Sequence, residues 1–213
     1  MGLGVFAAAA LSAVASIGAD EPTPVPPLAR SVHAEKPEAG SIEDALHIRK
    51  ASGTVELREK VASASLKIDL YRDGKKVDSR SQSAGLLPVQ ATTRARFSVQ
   101  VIDLDYLPLG GMKKGHCRML LTLDLGELIS SGSSDVPKDV FGGRLNSSGF
   151  QPFRPAAGSA NEAPLFYMIL DIRPDEGGRA VQRSGLSIEE VIRNNSHSDV
   201  LVATLVADAP ASK

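Results

Sequence analysis

Alternation of apolar and polar side chains, with a period of two residues, recurs along the middle of this chain and limits its fold more than any other feature. The clearest case places Leu66, Ile68 and Leu70 between polar residues, and Asp73-Gly74 follows directly. Successive side chains of a β-strand point to opposite faces, so this pattern predicts a strand with one buried face. The Asp-Gly pair tolerates the positive φ angles of a two-residue turn, which predicts a β-hairpin here.

Other segments repeat this alternation or are apolar throughout. Residues 94–101 and 117–125 alternate, whereas residues 164–174 and 199–208 are rich in apolar side chains on both faces. Strands that are apolar on both faces are typical of the centre of a layered structure. The alternating strands are each predicted to bury one face, formed by Ala95, Phe97, Val99 and Val101 in one segment and by Cys117, Met119, Leu121, Leu123 and Leu125 in the other.

Helical signals are few. The segment SGLSIEEVIRNNS contains a capping box, in which Ser187 and Glu190 satisfy each other's backbone N–H groups, and a second short helix is predicted from Ser41. The chain is therefore predicted to be all-β, mainly an antiparallel β-sandwich of about six to eight strands, with Ig-like or jelly-roll-like topology left open and one or two short helices. A small closed β-barrel is the alternative.

The N-terminal residues are typical of an export signal. Residues 3–17 form an Ala-rich apolar run followed by acidic and Pro-rich sequence, as in a secretory signal peptide, although no Lys or Arg precedes the run. The run is shorter than the roughly 20 residues that a membrane-spanning helix needs, so no stable membrane span is predicted in the mature form. We therefore predict a signal peptide at 1–19 and export to the periplasm, the cell surface or the exterior.

The predicted domain organisation follows from composition. Residues 20–40 are polar and Pro-rich, and they are predicted to form a spacer. One β-sandwich domain is predicted over residues 41–208, followed by a tail at 209–213. An internal disulfide is excluded because the chain has a single cysteine, so the hydrophobic core must hold the domain together.

A long loop is predicted from 129 to 164, where Ser, Gly, Pro and Asn dominate and the periodicity is lost. Connections in compact domains are usually much shorter, so this segment is expected to be functional or packed on itself. It holds three of the six phenylalanines. Aromatic and Arg side chains often anchor protein partners, so the candidate partner-binding residues are Phe141, Phe150, Phe153 and Arg154. The alternative is that the aromatic side chains pin the loop against the sandwich.

The stretch GMKKGHCRMLL combines a cysteine, a histidine and two lysines, which are residue types found at reactive thiols. Adjacent strand residues point to opposite faces, however, so His116 and Cys117 would face apart. The alternation places Cys117 in line with Met119 and Leu121. A free cysteine in such a position behaves as a small hydrophobe. We therefore predict that Cys117 is buried and unreactive.

Two carboxylates, Asp103 and Asp105, lie two residues apart at the end of a predicted strand and are the candidate metal ligands. Calcium needs about six to eight oxygen ligands, and only these two are visible locally. Asp171, at the end of another predicted strand, would contribute if the two strand ends meet. We favour ordinary strand-end charge for these carboxylates and predict no cofactor, with calcium as the alternative.

The net charge and the motifs of the chain argue against two classes of function, nucleic-acid binding and enzymatic catalysis. The net charge is −1 and aromatic residues make up 4% of the chain, which argues against nucleic-acid binding. No nucleophile elbow, phosphate loop or zinc-ligand spacing occurs, which argues against an enzyme. We predict an exported, non-enzymatic module of the cell envelope or exterior that binds a protein or surface partner, in adhesion or assembly, through residues 129–164 or its sheet edges.

Two other hypotheses stay open. The main alternative is an exported hydrolase or calcium-binding, enzyme-like domain with Asp103, Asp105 and Asp171 at one end of the sandwich. A weaker one is a small-ligand carrier with a barrel cavity.

Overall fold

The computed structural model describes residues 26–35, 48–85, 90–105, 114–138, 150–153, 159–172 and 183–207. Within these ranges the chain forms ten strands and one helix. In chain order they are β1 (Ala29–Glu35), β2 (Ile48–Val61), β3 (Ser63–Arg72), β4 (Lys75–Gly85), β5 (Thr92–Asp103), β6 (His116–Asp124), β7 (Ile129–Pro137), β8 (Phe150–Pro152), β9 (Glu162–Ile172), α1 (Ile188–Asn194) and β10 (Ser198–Ala207).

The strands form two five-stranded sheets. The first has the order β1-β2-β5-β6-β7, and the second has the order β4-β3-β10-β9-β8. Every neighbouring pair is antiparallel. The two sheets pack as a β-sandwich, which confirms the predicted fold class, and the described strands do not close into the alternative barrel.

The core lies between the two sheets and is built from the alternating residues. Phe97 of the first sheet stacks on Phe166 of the second, with ring centroids 5.6 Å apart. Leu66, Ile68 and Leu70 are at most 2% exposed, as their alternation predicts. The turn after β3 is also confirmed, because Asp73 and Gly74 have φ angles of 50° and 72°.

A smaller cluster covers the outer face of the second sheet. Helix α1 places Val191 there against Val200 and Val202 of β10, the central strand of that sheet. This covering explains why β10 is apolar on both faces. The predicted capping box is present, since the Glu190 N–H donates to Ser187 Oγ at 3.2 Å and the Ser187 N–H donates to Glu190 Oε2 at 2.8 Å.

The predicted spacer at 20–40 is wrong over residues 29–35, which form β1 and pair with β2. The N–H of Leu28 also donates to the carbonyl of Ser159 at 2.8 Å. Most side chains of β1 are exposed or partly exposed, so its pairing rests on the backbone and leaves little apolar pattern in the sequence. The helix predicted from Ser41 is wrong at its end, where 48–50 belong to β2, and its other residues lie outside the described ranges.

The predicted loop at 129–164 is wrong as a single segment, because β7, β8 and the start of β9 fall within it. Strand β7 has the sequence ISSGSSDVP and lies at the edge of the first sheet. An edge strand has one neighbour and buries little apolar surface. Small polar side chains therefore suffice, and they hide the strand from an analysis of hydrophobic periodicity.

Candidate functional site

Two edge strands, β4 and β7, lie side by side on one flank of the sandwich. They are joined across the gap between the sheets by Gln82, whose Nε2 donates to Ser130 Oγ at 2.6 Å. A Cβ atom added at Gly132 would lie 3.0 Å from Cδ of Gln82 and would overlap its Oε1. The glycine therefore makes room for the Gln82 carboxamide.

This flank is polar although it borders the core. On β7, Val136 is buried, so the residues at even positions before it share its inward face. On β4, Ala84 is buried and the same alternation places Arg80 inward, where its Nε pairs with Asp78 Oδ2 at 3.0 Å. We call this surface the β4–β7 flank, formed by Asp78, Arg80, Gln82, Ser130, Gly132 and Ser134.

The hydrogen-bond pattern of β7 defines its free edge. Two backbone bonds bracket the β6–β7 ladder: Leu125 donates to the Leu128 carbonyl at 3.0 Å, and Lys138 donates to the Gly115 carbonyl at 2.8 Å. Both bonds follow the register of the ladder between them. In an antiparallel pair, alternate residues direct both backbone groups toward the neighbouring strand. The even-numbered residues of β7 therefore face β6.

The odd-numbered residues direct their backbone groups away from β6. Ile129, Ser131 and Ser133 thus present N–H and C=O groups at the outer edge of the first sheet, and in the described part of the chain no strand pairs with that edge. Their side chains are exposed, and Ile129 is 65% exposed. The arrangement is an open template for an additional strand.

The other described edges carry features that block such pairing. Strand β8 has three residues and ends at Pro152. Strand β1 has a register shift near its start, and β4 has one opposite Leu70 and carries four charged residues. Charges, prolines and bulges are the usual protection of sheet edges. Strand β7 also ends at a proline, Pro137, but it keeps an unbroken register over nine residues. It has one charged residue, Asp135, which Arg118 binds through two nitrogens at 2.8 and 3.1 Å.

The two predicted metal ligands lie together, and a lysine bridges them. Lys138 Nζ contacts Asp103 Oδ1 and lies 2.6 Å from Asp105 Oδ2. The N–H of Gly115 also donates to Asp105 Oδ1 at 2.9 Å. The hydrogen bonds from Lys138 and from Gly115 lower the pKa of Asp105. For Lys138, burial favours a lower pKa, but the hydrogen bonds to both carboxylates outweigh it and raise the pKa.

A divalent cation at this position would have to displace the Lys138 ammonium. Among the described residues, no group of three or more His, Cys, Asp or Glu side chains is placed to hold a metal ion. Calcium binding by Asp103 and Asp105 stays a prediction, as does the hydrolase hypothesis built on the same carboxylates.

Asp171 lies at the same end of the sandwich as Asp103 but in the other sheet. Strands β5 and β9 both start at the end where Leu28 meets Ser159, so both strands finish at the opposite end. Asp171 is paired with Asp199 in the β9–β10 ladder. Its side chain lies outside the described part of the structure, and none of the described contacts joins it to Asp103.

Cys117 is fully buried in the core, which confirms the prediction from its alternation. Burial raises the pKa of its thiol to about 12, and the negative charge of Asp103 acts in the same direction. Neighbouring His116 points elsewhere, with Nδ1 3.1 Å from the carbonyl of Lys114. A thiol that burial and a nearby negative charge keep protonated is not a nucleophile.

The aromatic partner-binding residues are only partly described. Phe153 is 3% exposed and packs on Tyr167, with ring centroids 5.3 Å apart. This position agrees with the packing alternative for Phe153. The backbone of Phe150 is in β8, but its side chain is outside the described residues, as are Phe141 and Arg154. Their role in partner binding stays a prediction.

The edge of β7 was not predicted from the sequence, although sheet edges were predicted as binding elements. A usable signal was present: Gly126, with a φ angle of 97°, marks a turn directly after the alternating strand β6. A turn after a strand predicts a second strand folding back, even where its side chains are small.

Comparison with known proteins adds no relatives, since no family model, curated protein or solved structure matches this chain. In the described ranges, no helix is both long and apolar enough to cross a membrane.

Proposed function

We propose that this chain is an exported, non-enzymatic binding or assembly module whose strand β7 accepts an extended strand from a partner. The outer edge of β7 carries the proposal. It is regular over nine residues, and it presents the backbone groups of Ile129, Ser131 and Ser133. An extended segment placed beside this edge would continue the antiparallel ladder of the first sheet.

Strand addition takes its affinity from main-chain hydrogen bonds and its specificity from side chains at alternate positions. Each backbone hydrogen bond contributes on the order of 1 kcal/mol net. The serines and glycine of β7 do not obstruct a neighbouring backbone. On the inward side, an added strand lies next to the polar β4–β7 flank. We therefore expect small or polar side chains on that side of the partner strand.

Export is proposed from the apolar run at residues 3–17. A cell-fractionation experiment with the full chain and with a variant lacking 1–19 tests it. We expect the full chain outside the cytoplasm in a shortened form and the truncated variant inside. Recovery of the full chain in the cytoplasm without shortening would contradict export.

Photo-crosslinking tests strand addition directly. A photoreactive residue replaces Ser131 on the outer edge of β7, and the matched control replaces Val77, which is 49% exposed on the edge strand β4. We expect cross-links to a partner strand from position 131 and none from position 77 in envelope extract.

The same experiment is repeated in two backgrounds. Ser133→Pro removes one outward N–H without removing a bond to β6, because Ser133 faces away from that strand. Ser133→Ala removes the hydroxyl but keeps the N–H. Loss of the cross-link in the proline variant, with retention in the alanine variant, supports strand addition. Equal cross-linking in the two variants, or none from position 131 in the wild type, contradicts it.

A further inference from the structure

We infer that the strand accepted by β7 is the β7 of a second copy of this chain, so that two sandwiches share one continuous ten-stranded sheet. This inference rests on the proposed strand addition and names the partner. It follows from the register, the charges and the side-chain sizes of β7, and from the protection of the other described edges.

The register of such a pair is fixed by the strand itself. Residues 129–137 overlap completely with their own antiparallel copy when Ser133 lies on the twofold axis. In that alignment odd-numbered residues face odd-numbered residues. The odd-numbered residues are also those whose backbone groups point away from β6. In the alignment with the largest overlap, the residues that face each other are therefore those whose backbone groups are available for hydrogen bonds between the two strands.

The side chains are compatible with this alignment. Ser133 meets Ser133 of the partner, whose hydroxyl can form a cross-strand hydrogen bond. Asp135 faces the partner's Ser131, so no like charges lie opposite each other. The exposed Ile129 faces the partner's Pro137, which covers apolar surface on both strands.

Size also favours this strand as its own partner. The inward side of an added strand lies next to the long polar side chains of Arg80 and Gln82 on the β4–β7 flank. Strand β7 carries Ser130, Gly132 and Ser134 on its inward side, so its copy brings small side chains to this position. Strand β7 thus has the small inward side chains that a strand added beside β7 requires.

The assembly closes at two copies. A twofold pair uses the same patch on both subunits and leaves no β7 edge exposed. The charged edge of β4, the shifted edge of β1 and the three-residue β8 do not offer a second site for growth. The structure therefore indicates a closed dimer and not a filament.

Disulfide trapping tests the inferred dimer. In a hydrogen-bonded antiparallel pair the Cα atoms are about 5.5 Å apart, which is within the range for a disulfide. Ser133→Cys therefore places two cysteines opposite each other on the twofold axis. The native Cys117 is buried and does not interfere. Ser131→Cys is the matched control on the same edge, because its partner position is Asp135, and Val77→Cys controls for random collision.

We expect mild oxidation to convert most of Ser133→Cys into a covalent dimer, with little dimer from Ser131→Cys or Val77→Cys. Light scattering of the wild type should give about twice the mass of one chain, and Ser133→Pro should give the mass of one chain. Equal trapping at 131 and 133, or a wild type that stays monomeric at high concentration, would overturn the inferred dimer.

The outcomes separate this inference from the proposed function. A monomeric wild type that still cross-links from position 131 to a different protein retains strand addition and contradicts self-pairing. A monomer with no cross-link from position 131 contradicts both.

Discussion

Gln82 on β4 and Ser130 on β7 join the two sheets of the sandwich through one side-chain hydrogen bond of 2.6 Å. The bond exists because Gly132, two residues further along β7, has no side chain in the space that Gln82 occupies. This contact holds the inner side of an edge strand whose outer side pairs with none of the described strands. It therefore supports the rigid template that strand addition requires.

Gly132→Ala should destabilise the protein by about 1 kcal/mol, because the new Cβ displaces the Gln82 carboxamide and breaks its hydrogen bond to Ser130. Gln82→Ala should cost a similar amount for the same reason. The double variant should then cost less than the sum of the two, since both changes remove one interaction. Urea unfolding of the three variants measures this coupling.

Gly85→Ala is the control for that experiment. Gly85 is also on β4, but a Cβ there meets Ser63 Oγ at 3.7 Å, an ordinary contact. Its free energy of unfolding should stay close to that of the wild type. Fully additive losses in Gly132→Ala and Gln82→Ala would show that the glycine does not act through Gln82.

Lys138→Met should destabilise the protein by about 2 to 4 kcal/mol, because the buried carboxylate of Asp103 loses its ion-pair partner. The side chains of Asp103 and Lys138 are 8% and 17% exposed, so water can replace little of the lost interaction with the Asp103 carboxylate. Chemical unfolding near neutral pH measures the loss. Lys114→Met, an exposed lysine nearby, is the control and should change little.

The pH dependence of that loss has a defined sign. The pKa of Asp105 is lowered from 3.8 in the folded protein, so its contribution is present above pH 3.8 and is lost as the pH falls through the folded pKa. The pKa of Lys138 is raised from 10.5, so its contribution is present below pH 10.5 and is lost as the pH rises through the folded pKa. Lys138→Met should reduce both the loss of stability at acid pH and the loss of stability at alkaline pH. Identical acid and alkaline profiles in the wild type and the variant would contradict the bridge.

Cys117 should resist thiol reagents in the folded protein, because it is fully buried and its pKa is raised to about 12. Labelling with a chromogenic disulfide at pH 8 should be slow without denaturant and complete in guanidinium chloride. Val77→Cys provides an exposed thiol on the same fold as the positive control, since Val77 is 49% exposed on β4. Rapid modification of native Cys117 would show that this part of the core opens.

Phe153→Ala should cost about 3 kcal/mol of stability, since the ring is 3% exposed and packs on Tyr167. Ile129→Ala removes an exposed side chain and should change stability by about 0.5 kcal/mol or less. Thermal unfolding compares them. A Phe153→Ala variant as stable as the wild type that loses its partner would return Phe153 to the role of a binding anchor.

The strands that sequence analysis identified are those with strong apolar patterns. Alternation marked β3, β5 and β6, and continuous apolar runs marked β9 and β10, because these strands build the core. Strands β1 and β7 lie at sheet edges, where backbone pairing holds side chains that are mostly exposed or partly exposed. Their sequences therefore carry little hydrophobic signal.

At the candidate sites too, local sequence patterns indicate some contacts, whereas others depend on the pairing of distant strands. The carboxylates of Asp103 and Asp105, which are two residues apart in the sequence, both contact the ammonium group of Lys138. Their partner Lys138 is 33 residues beyond Asp105 in the chain and directly follows β7. Its approach depends on the β6–β7 pairing, and local sequence spacing does not contain that information.

Amide hydrogen exchange along β7 tests pairing of its outer edge most directly. The amides of Ser130 and Ser134 face β6 and serve as internal references, whereas those of Ser131 and Ser133 face outward. We predict that the outward amides exchange rapidly in dilute protein and become protected as concentration rises, while the references stay protected throughout. Rapid exchange of Ser131 and Ser133 at every concentration would contradict pairing between copies at this edge.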